Sequence, residues 1–178
     1  RERILCAARR LFSERGAGCV SMDEIAEAAG VGKGTLFRRF GSRAALATAV
    51  LSDTEARLQE GFIRGEPPLG PGAPADERLI AFGERLLDHV ERNGELLLAA
   101  DTGVAGLRFR TPVYGAYRAH VLALLREARP AVDVEYAADA LLAALSVELV
   151  MHQRHARGLE LGALKAGWRG LVRALLRA

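Results

Sequence analysis

Lysine is almost missing from this chain of 178 residues: only Lys33 and Lys165 occur, so nearly all its positive charge is arginine. Cysteine is scarce as well. Cys6 and Cys19 are too few and wrongly spaced for a zinc site, and we expect reduced, mostly structural thiols in a cytoplasmic protein. No apolar run approaches the roughly 18 residues that a membrane-spanning helix needs, which excludes a transmembrane segment. The apolar–polar alternation of a half-buried strand is missing too, so the chain reads as all-α. Six prolines are present, and four of them fall between residues 67 and 74. No signal peptide is expected. The first residue is Arg1 rather than methionine, so a short preceding tail is expected.

Catalytic and cofactor motifs are lacking in the same way. The segment GVGKGT, residues 30–35, superficially resembles the phosphate-binding loop of nucleotide kinases. That loop needs Gly-x-x-x-x-Gly-Lys-Ser/Thr after a strand. Here Gly34 follows Lys33, Glu27 stands five before Gly32, and a helix precedes, so a nucleotide-binding enzyme is not supported. No Ser/His/Asp or Cys/His set sits in a supporting local motif. His152 and His155 share a helical turn but find no third ligand, so no metal and no cofactor are expected.

What is present is an uneven charge and a helix grammar. Residues 1–50 hold nine Lys/Arg against five Asp/Glu, while the remaining 128 hold sixteen against seventeen. The basic end is where a phosphate-binding surface would need its charge. Within it, residues 21–40 read SMDEIAEAAGVGKGTLFRRF. Ser21 and Glu24 have the spacing of a capping box. Ile25, Ala28 and Ala29 then give one small apolar face, and Gly30 can end the helix in a left-handed conformation. Gly32 is placed to cap a second helix from Lys33 to Phe40. At roughly 100° per residue, Leu36, Phe37 and Phe40 fall on one side and Gly34, Thr35, Arg38 and Arg39 on the other. Gly41 stops this helix and Ser42 can cap the next. Two short helices around a glycine turn, the second with a basic outer face, make a helix-turn-helix whose second helix enters a DNA major groove. The bland reading is that Arg38 and Arg39 merely solvate a small core. Bare Gly34 and Thr35 beside them, which let the backbone approach a partner, and the charge asymmetry favour DNA.

This segment, with RERILCAARRLFSERG before it and GSRAAL after it, resembles the DNA-binding domain of the TetR family of bacterial transcriptional regulators. The resemblance covers about residues 1–50. It implies a homodimer on a palindromic operator of double-stranded DNA, usually a repressor released by a small-molecule effector. By position, it implies that Ser21 and Arg43 hold phosphates and that Lys33, Thr35, Arg38 and Arg39 read DNA, with Gly32 and Gly34 allowing close approach. Three residues depart from the family pattern. Gly32 stands where Ser is commoner, Phe37 where Tyr is common, and Arg39 where His or Tyr is frequent. Loss of the tyrosine hydroxyl removes a phosphate contact; Arg39 either replaces it or reads a base.

The expected organisation is a helix-turn-helix domain over 1–50 and a helical effector-binding and dimerisation domain over 51–178. A first helix to about Glu14 carries Ile4, Leu5, Ala8, Leu11 and Phe12. The helix from Ser42 towards Phe62 buries Leu46, Ala49, Val50 and Leu58, and GEPPLGPGAPA, residues 65–75, is a loop. A helix from Asp76 should end near Asn93–Gly94, with a shorter one over Glu95–Ala100. GVAGLRFRTP is irregular, a helix follows from Pro112 to Ala128, and Arg129–Pro130 breaks it. The stretch Val134–Arg157 reads as one helix that is apolar nearly all round.

In the last helix, Ala163, Gly167, Gly170 and Ala174 form a ridge of small residues beside Leu164, Trp168, Leu171 and Leu175. Together with Leu145 this suggests a dimer interface, which would set two recognition helices roughly 34–36 Å apart. Polar or aromatic groups on apolar helices are the candidates for an effector pocket: His89, Tyr114, Tyr117, His120, His152 and Trp168. Arg108, Phe109 and Arg110 either close that pocket or form a solvated loop. A helical scaffold that binds another protein through the basic face is the rival. DNA binding would differ from it by a steep loss of affinity with salt.

Overall fold

Helix-stopping glycines and prolines set most of the element boundaries. The computed structural model describes residues 1–100, 106–128 and 130–177. In order, the α-helices are α1 (Glu2–Arg15), α2 (Met22–Ala28), α3 (Lys33–Phe40), α4 (Arg43–Arg64), α5 (Ala75–Ala100), α6 (Pro112–Ala128), α7 (Val134–Ala144), α8 (Val147–Met151) and α9 (Leu161–Arg177). Short 3-10 turns lie at Ala17–Cys19 and Leu107–Arg110, and a π-helical turn at His152–Ala156. Among the described residues there is no strand, and no helix is long and apolar enough to cross a membrane. The chain divides into two compact units. The first comprises Arg1–Thr54 and the end of α5 from Asn93; the second comprises Glu55–Arg92 and the described residues from Arg108 onward.

The first unit forms around α1, whose Ile4, Ala7, Ala8, Leu11 and Phe12 are buried at helical spacing. They meet Ile25 and Ala26 of α2, Leu36 of α3, and Leu46 and Val50 of α4. One expected face is corrected here: Ala28 is exposed, and Ala26 takes its place in the core beside Ile25 and Ala29. Gly30 adopts φ 63, the left-handed conformation that a side chain would disfavour, and its N–H bonds the Glu27 carbonyl at 3.0 Å. Both thiols are exposed, contrary to the structural role expected of them; Cys6 sits on the outer face of α1 and Cys19 ends the first 3-10 turn.

Two helix limits also differ from the sequence reading. Asn93–Gly94 does not end a helix, because α5 runs unbroken to Ala100. A glycine inside a helix costs about 1 kcal/mol relative to alanine. That cost is offset beyond it, where Leu96 and Ala99 pack against the first unit's core. Conversely, the stretch 134–157 is not one helix. Leu145 ends α7, and Ser146 turns extended with φ −63 and ψ 143 before α8 begins. The N–H groups of Leu145 and Ser146 bond carbonyls three residues back, at 3.2 Å each, which tightens and closes α7. The expected break at Arg129–Pro130 falls partly outside the described residues, as does the first part of GVAGLRFRTP.

In the second unit α9 packs against α5 at one point of close approach. A Cβ on Gly83 would lie 1.9 Å from Trp168 Cε2, so only glycine admits the indole there. The indole N–H donates to the Ile80 carbonyl at 3.1 Å. Flanking ion pairs, Lys165–Asp88 at 2.7 Å and Arg169–Glu84, fix the same two helices. On the other side α6 and α7 are joined by Arg118, which bonds Asp139 at 2.7 Å and Glu135 at 2.9 Å.

Candidate nucleic-acid interface and a polar cluster in the second unit

The α2–α3 pair is built by its caps. The Ser21 hydroxyl accepts from the Glu24 N–H at 3.2 Å, and Glu24 Oε2 accepts from the Ser21 N–H at 2.8 Å, so the capping box is complete. The Ser21 hydroxyl also donates to Glu24 Oε2 at 2.7 Å, which engages its proton within the box. Arg15, at the end of α1, bonds the same carboxylate at 2.6 Å. The Ser21 backbone N–H, then its hydroxyl, then Arg15 hold the Glu24 carboxyl down to about 2, so it stays charged at the start of α2. Gly32 caps α3 without a side chain, as its sequence position suggested.

Leu36 is the anchor of α3, fully buried, and Phe40 is half-buried beside it. Phe37 departs from the expected apolar side and is 47% exposed. An eight-residue helix laid on a small core buries a narrow stripe, and Phe37 lies roughly 100° round from Leu36. Gly32, Lys33, Gly34, Thr35, Arg38 and Arg39 are all exposed, and the spaces a Cβ would take at Gly32 and Gly34 are open. Lys33 Nζ pairs with Asp23, which offsets a cation at a positive helix end. Arg38 Nε donates to the Gly34 carbonyl at 3.2 Å, and Arg38 and Arg39 lie in the last turn, where the helix dipole favours cations. Arg43 opens α4 and reaches back to the Gly18 carbonyl at 3.2 Å, leaving most of its five N–H donors to solvent. The structure thus puts the expected readers on one continuous outer surface of α3, small in the middle and basic around it.

Residues 4–50 match the family described as "Bacterial regulatory proteins, tetR family". The match spans α1 to α3 and the start of α4, so that segment is similar to the N-terminal domain of the TetR family. The chain is 49% identical over 57 residues to an uncharacterized HTH-type transcriptional regulator of Mycobacterium tuberculosis, a match covering 32% of this chain and 28% of that protein. It is 34% identical over 95 residues to the HTH-type transcriptional activator FasR of Mycolicibacterium smegmatis, covering 53% of this chain and 42% of FasR. The chain thus spans under half the length of the curated relatives it matches. Among solved structures, Thermus thermophilus FadR, a TetR-family repressor in complex with lauroyl-CoA, aligns with a TM-score of 0.70 at 23% identity, over 96% of this chain and 92% of that one.

In the second unit the pocket candidates separate. Trp168 is only 4% exposed and is spent on Gly83 and the Ile80 carbonyl, and Leu145, 4% exposed, is likewise covered. Both are therefore occupied within the monomer, and of the expected interface residues Gly167, Gly170 and Leu171 are exposed while Leu164 is half-buried. His152 is exposed at the head of the π-helical turn, away from any interior. Tyr114 is half-buried and donates to Asp139 at 3.2 Å, within the Arg118 network. Arg108 lies over the Phe109 ring and pairs with Glu148 at 2.7 Å, which makes that segment a surface clasp. His89 is 5% exposed, and burial, then Arg92 and Arg85, push its imidazole down to about 4.

Tyr117 and His120 come together in the interior. Their rings pack with Phe62 and Phe82: His120 stacks on Phe62 at 4.4 Å, and Tyr117 meets Phe82 edge-on at 5.7 Å. Three polar atoms here are buried with no hydrogen-bond partner: Tyr117 Oη, His120 Nε2 and Arg78 Nε. Each such atom forgoes on the order of 1–3 kcal/mol. Burial, then Arg78, pushes the His120 imidazole down to about 4, so the ring is neutral near pH 7. Burial, then the Glu55 carboxylate, pushes the Tyr117 phenol up, and burial raises Glu55 in turn. Arg78, Glu55 and Phe62 were not singled out from the sequence as site residues. The available signal was spacing: Glu55 and Phe62 seven apart on α4, Arg78 and Phe82 four apart on α5, Tyr117 and His120 three apart on α6. Each pair puts a polar group and a ring on one helix face.

Proposed function

We propose that this chain is a sequence-specific DNA-binding transcriptional regulator that acts as a homodimer on a palindromic operator. The observation that carries the reading is the exposed face of α3, bare at Gly32 and Gly34 and basic at Lys33, Arg38 and Arg39, set by a complete capping box within the matched family segment. Lys33, Thr35, Arg38 and Arg39 read DNA; Ser21 and Arg43 hold phosphates. The small exposed residues of α9, Gly167 and Gly170 beside Leu171, form the face on which a second copy packs. The chain works as a repressor in the bacterial cytoplasm and leaves its operator when a small-molecule effector binds the second unit. Support for an effector, and for acyl-CoA as its class, comes from the fold shared with Thermus thermophilus FadR bound to lauroyl-CoA.

Selection of binding sites from a random DNA pool, repeated at low and high salt, tests this. Enrichment of a palindrome with salt-sensitive affinity is the expected result. A folded protein that enriches no sequence, or binds with no salt dependence, overturns the reading.

A further inference from the structure

We infer that Asp23 sets the specificity of the DNA face by acting on Lys33: its carboxylate aims the ammonium at an acceptor on a base edge and keeps it from serving as a loose phosphate anchor. The inference rests on the proposed reading of α3 and gives that face a positioning residue. The pair is built across the glycine turn. Asp23 is the second residue of α2 and Lys33 the first of α3, and Lys33 Nζ donates to Asp23 Oδ2. A helix start favours a carboxylate and disfavours an ammonium, so Asp23 is at home there and Lys33 needs a counter-charge. Folding does not explain the pair. The two side chains are 52% and 67% exposed, and exposed ion pairs add little to stability. Its place is also singular. Among the described residues Arg38 bonds the Gly34 carbonyl, Arg43 bonds the Gly18 carbonyl, and neither they nor Arg39 meet a carboxylate. Lys33 is therefore the one cation of the described reading surface that carries an acid. Lysine is a point charge on a flexible stem, which by itself attaches to any phosphate in reach. Its ammonium has three N–H donors, so one spent on Asp23 leaves two for a partner. Two donors held in place match O6 and N7 of a guanine in the major groove. Against a random duplex the pair carries no net charge and releases no counterion, so Asp23 lowers random binding more than operator binding.

Asp23→Asn, Lys33→Gln and the double variant, each in the full chain, are titrated against the selected operator and against a random duplex of equal length. Asp23→Asn should bind the random duplex more tightly, with a salt dependence steeper by about one ion per subunit. Between about 200 and 50 mM salt that amounts to roughly threefold more gain per subunit than in the wild type. Operator affinity should not rise with it, so the ratio of operator to random affinity falls. In the Lys33→Gln background the same change should leave ratio and slope unmoved, because the two residues act as a pair. A merely structural acid would instead lower the melting temperature and both affinities together, with the slope unchanged, and that result overturns the inference. Wild-type ratio and slope in Asp23→Asn overturn it too. So does an equal change in the Lys33→Gln background, which makes Asp23 a repulsive charge with no action on Lys33. A wild-type protein that selects no operator loses the regulatory reading, and this inference with it. One that binds its operator while Asp23→Asn leaves the ratio untouched loses only the role of Asp23.

Discussion

Replacing Gly34 by alanine separates folding from DNA recognition in a single methyl group. Gly34 is the second residue of α3, is exposed, and has open space where a Cβ would stand. Alanine there meets no clash and lowers the entropy lost on forming the helix, which should stabilise the chain by about 0.5–1 kcal/mol. For a chain of this size that raises the melting temperature by roughly 1–4 °C. On DNA the sign reverses. If the α3 backbone comes close to the duplex, the methyl occupies contact space, and overpacking of that kind costs about 1–3 kcal/mol. Operator affinity should therefore fall by roughly 5- to 150-fold while the protein becomes more stable. Thermal melts and fluorescence anisotropy on the selected operator, at one fixed salt concentration, read both quantities. Wild-type affinity in the stabilised variant would remove Gly34 from the interface and refute the orientation argued for α3.

Other perturbations test separate links. Arg38→Ala should cost roughly 1–3 kcal/mol on the operator and blunt preference at one base pair; an equal loss on random DNA would make Arg38 a phosphate contact. Arg43→Ala should weaken all sequences alike and shallow the salt dependence by about one ion per subunit, and an unchanged slope would take Arg43 off the phosphates. Gly83→Ala drives a methyl into Trp168, so denaturant unfolding should show a loss of at least about 1–3 kcal/mol, and Trp168→Ala in the same background should relieve part of it. His89 and His120 both titrate near 4 in the fold against 6.5 in an unfolded chain, so the unfolded state binds protons that the fold refuses. Their stabilisation is complete above pH 6.5 and is lost as pH falls towards 4, by roughly 2–3 kcal/mol for His89 and less for the more exposed His120. Urea titrations at pH 7 and 4.5 should show the drop, and it should shrink in His120→Phe; an equal drop in that variant would rule out its share.

Local grammar was legible in the sequence, and tertiary compensation was not. The Ser21–Glu24 box, the turn at Gly30, the cap at Gly32 and the α6 limits at Pro112 and Ala128 each depend on a few neighbouring residues, and the structure reproduces them. The Asn93–Gly94 stop failed because Leu96 and Ala99 find a core to bury in beyond it. The uninterrupted helix over 134–157 failed because apolar composition cannot show where Leu145 and Ser146 leave helical geometry. Phe37 shows the same limit on a smaller scale: its helical side was clear, but the width of the core beneath α3 was not. Tyr117 and His120 were visible as polar residues on an apolar helix. Their convergence with Arg78 and Glu55 required three helices to be placed together.

The two units depart from ordinary folding preferences in the same way. In α3 a serine or asparagine at position 32 and an alanine at 34 would make a better helix, and the open space around both positions shows that packing does not forbid them. Around Tyr117, phenylalanine would fill the same volume without leaving a hydroxyl unbonded. In each place a tightly buried element sits directly beside the departure: fully buried Leu36 under α3, and the Phe62–Phe82 pair against Tyr117 and His120. Sites that break local rules next to an intact core are where binding is expected to have set the sequence. Gly32 and Gly34 leave room for a backbone to approach, which suits a duplex. A folding defect would scatter such departures along the chain. On α3 the departures at Gly32 and Gly34 share one exposed face, as a helix that lies against DNA requires.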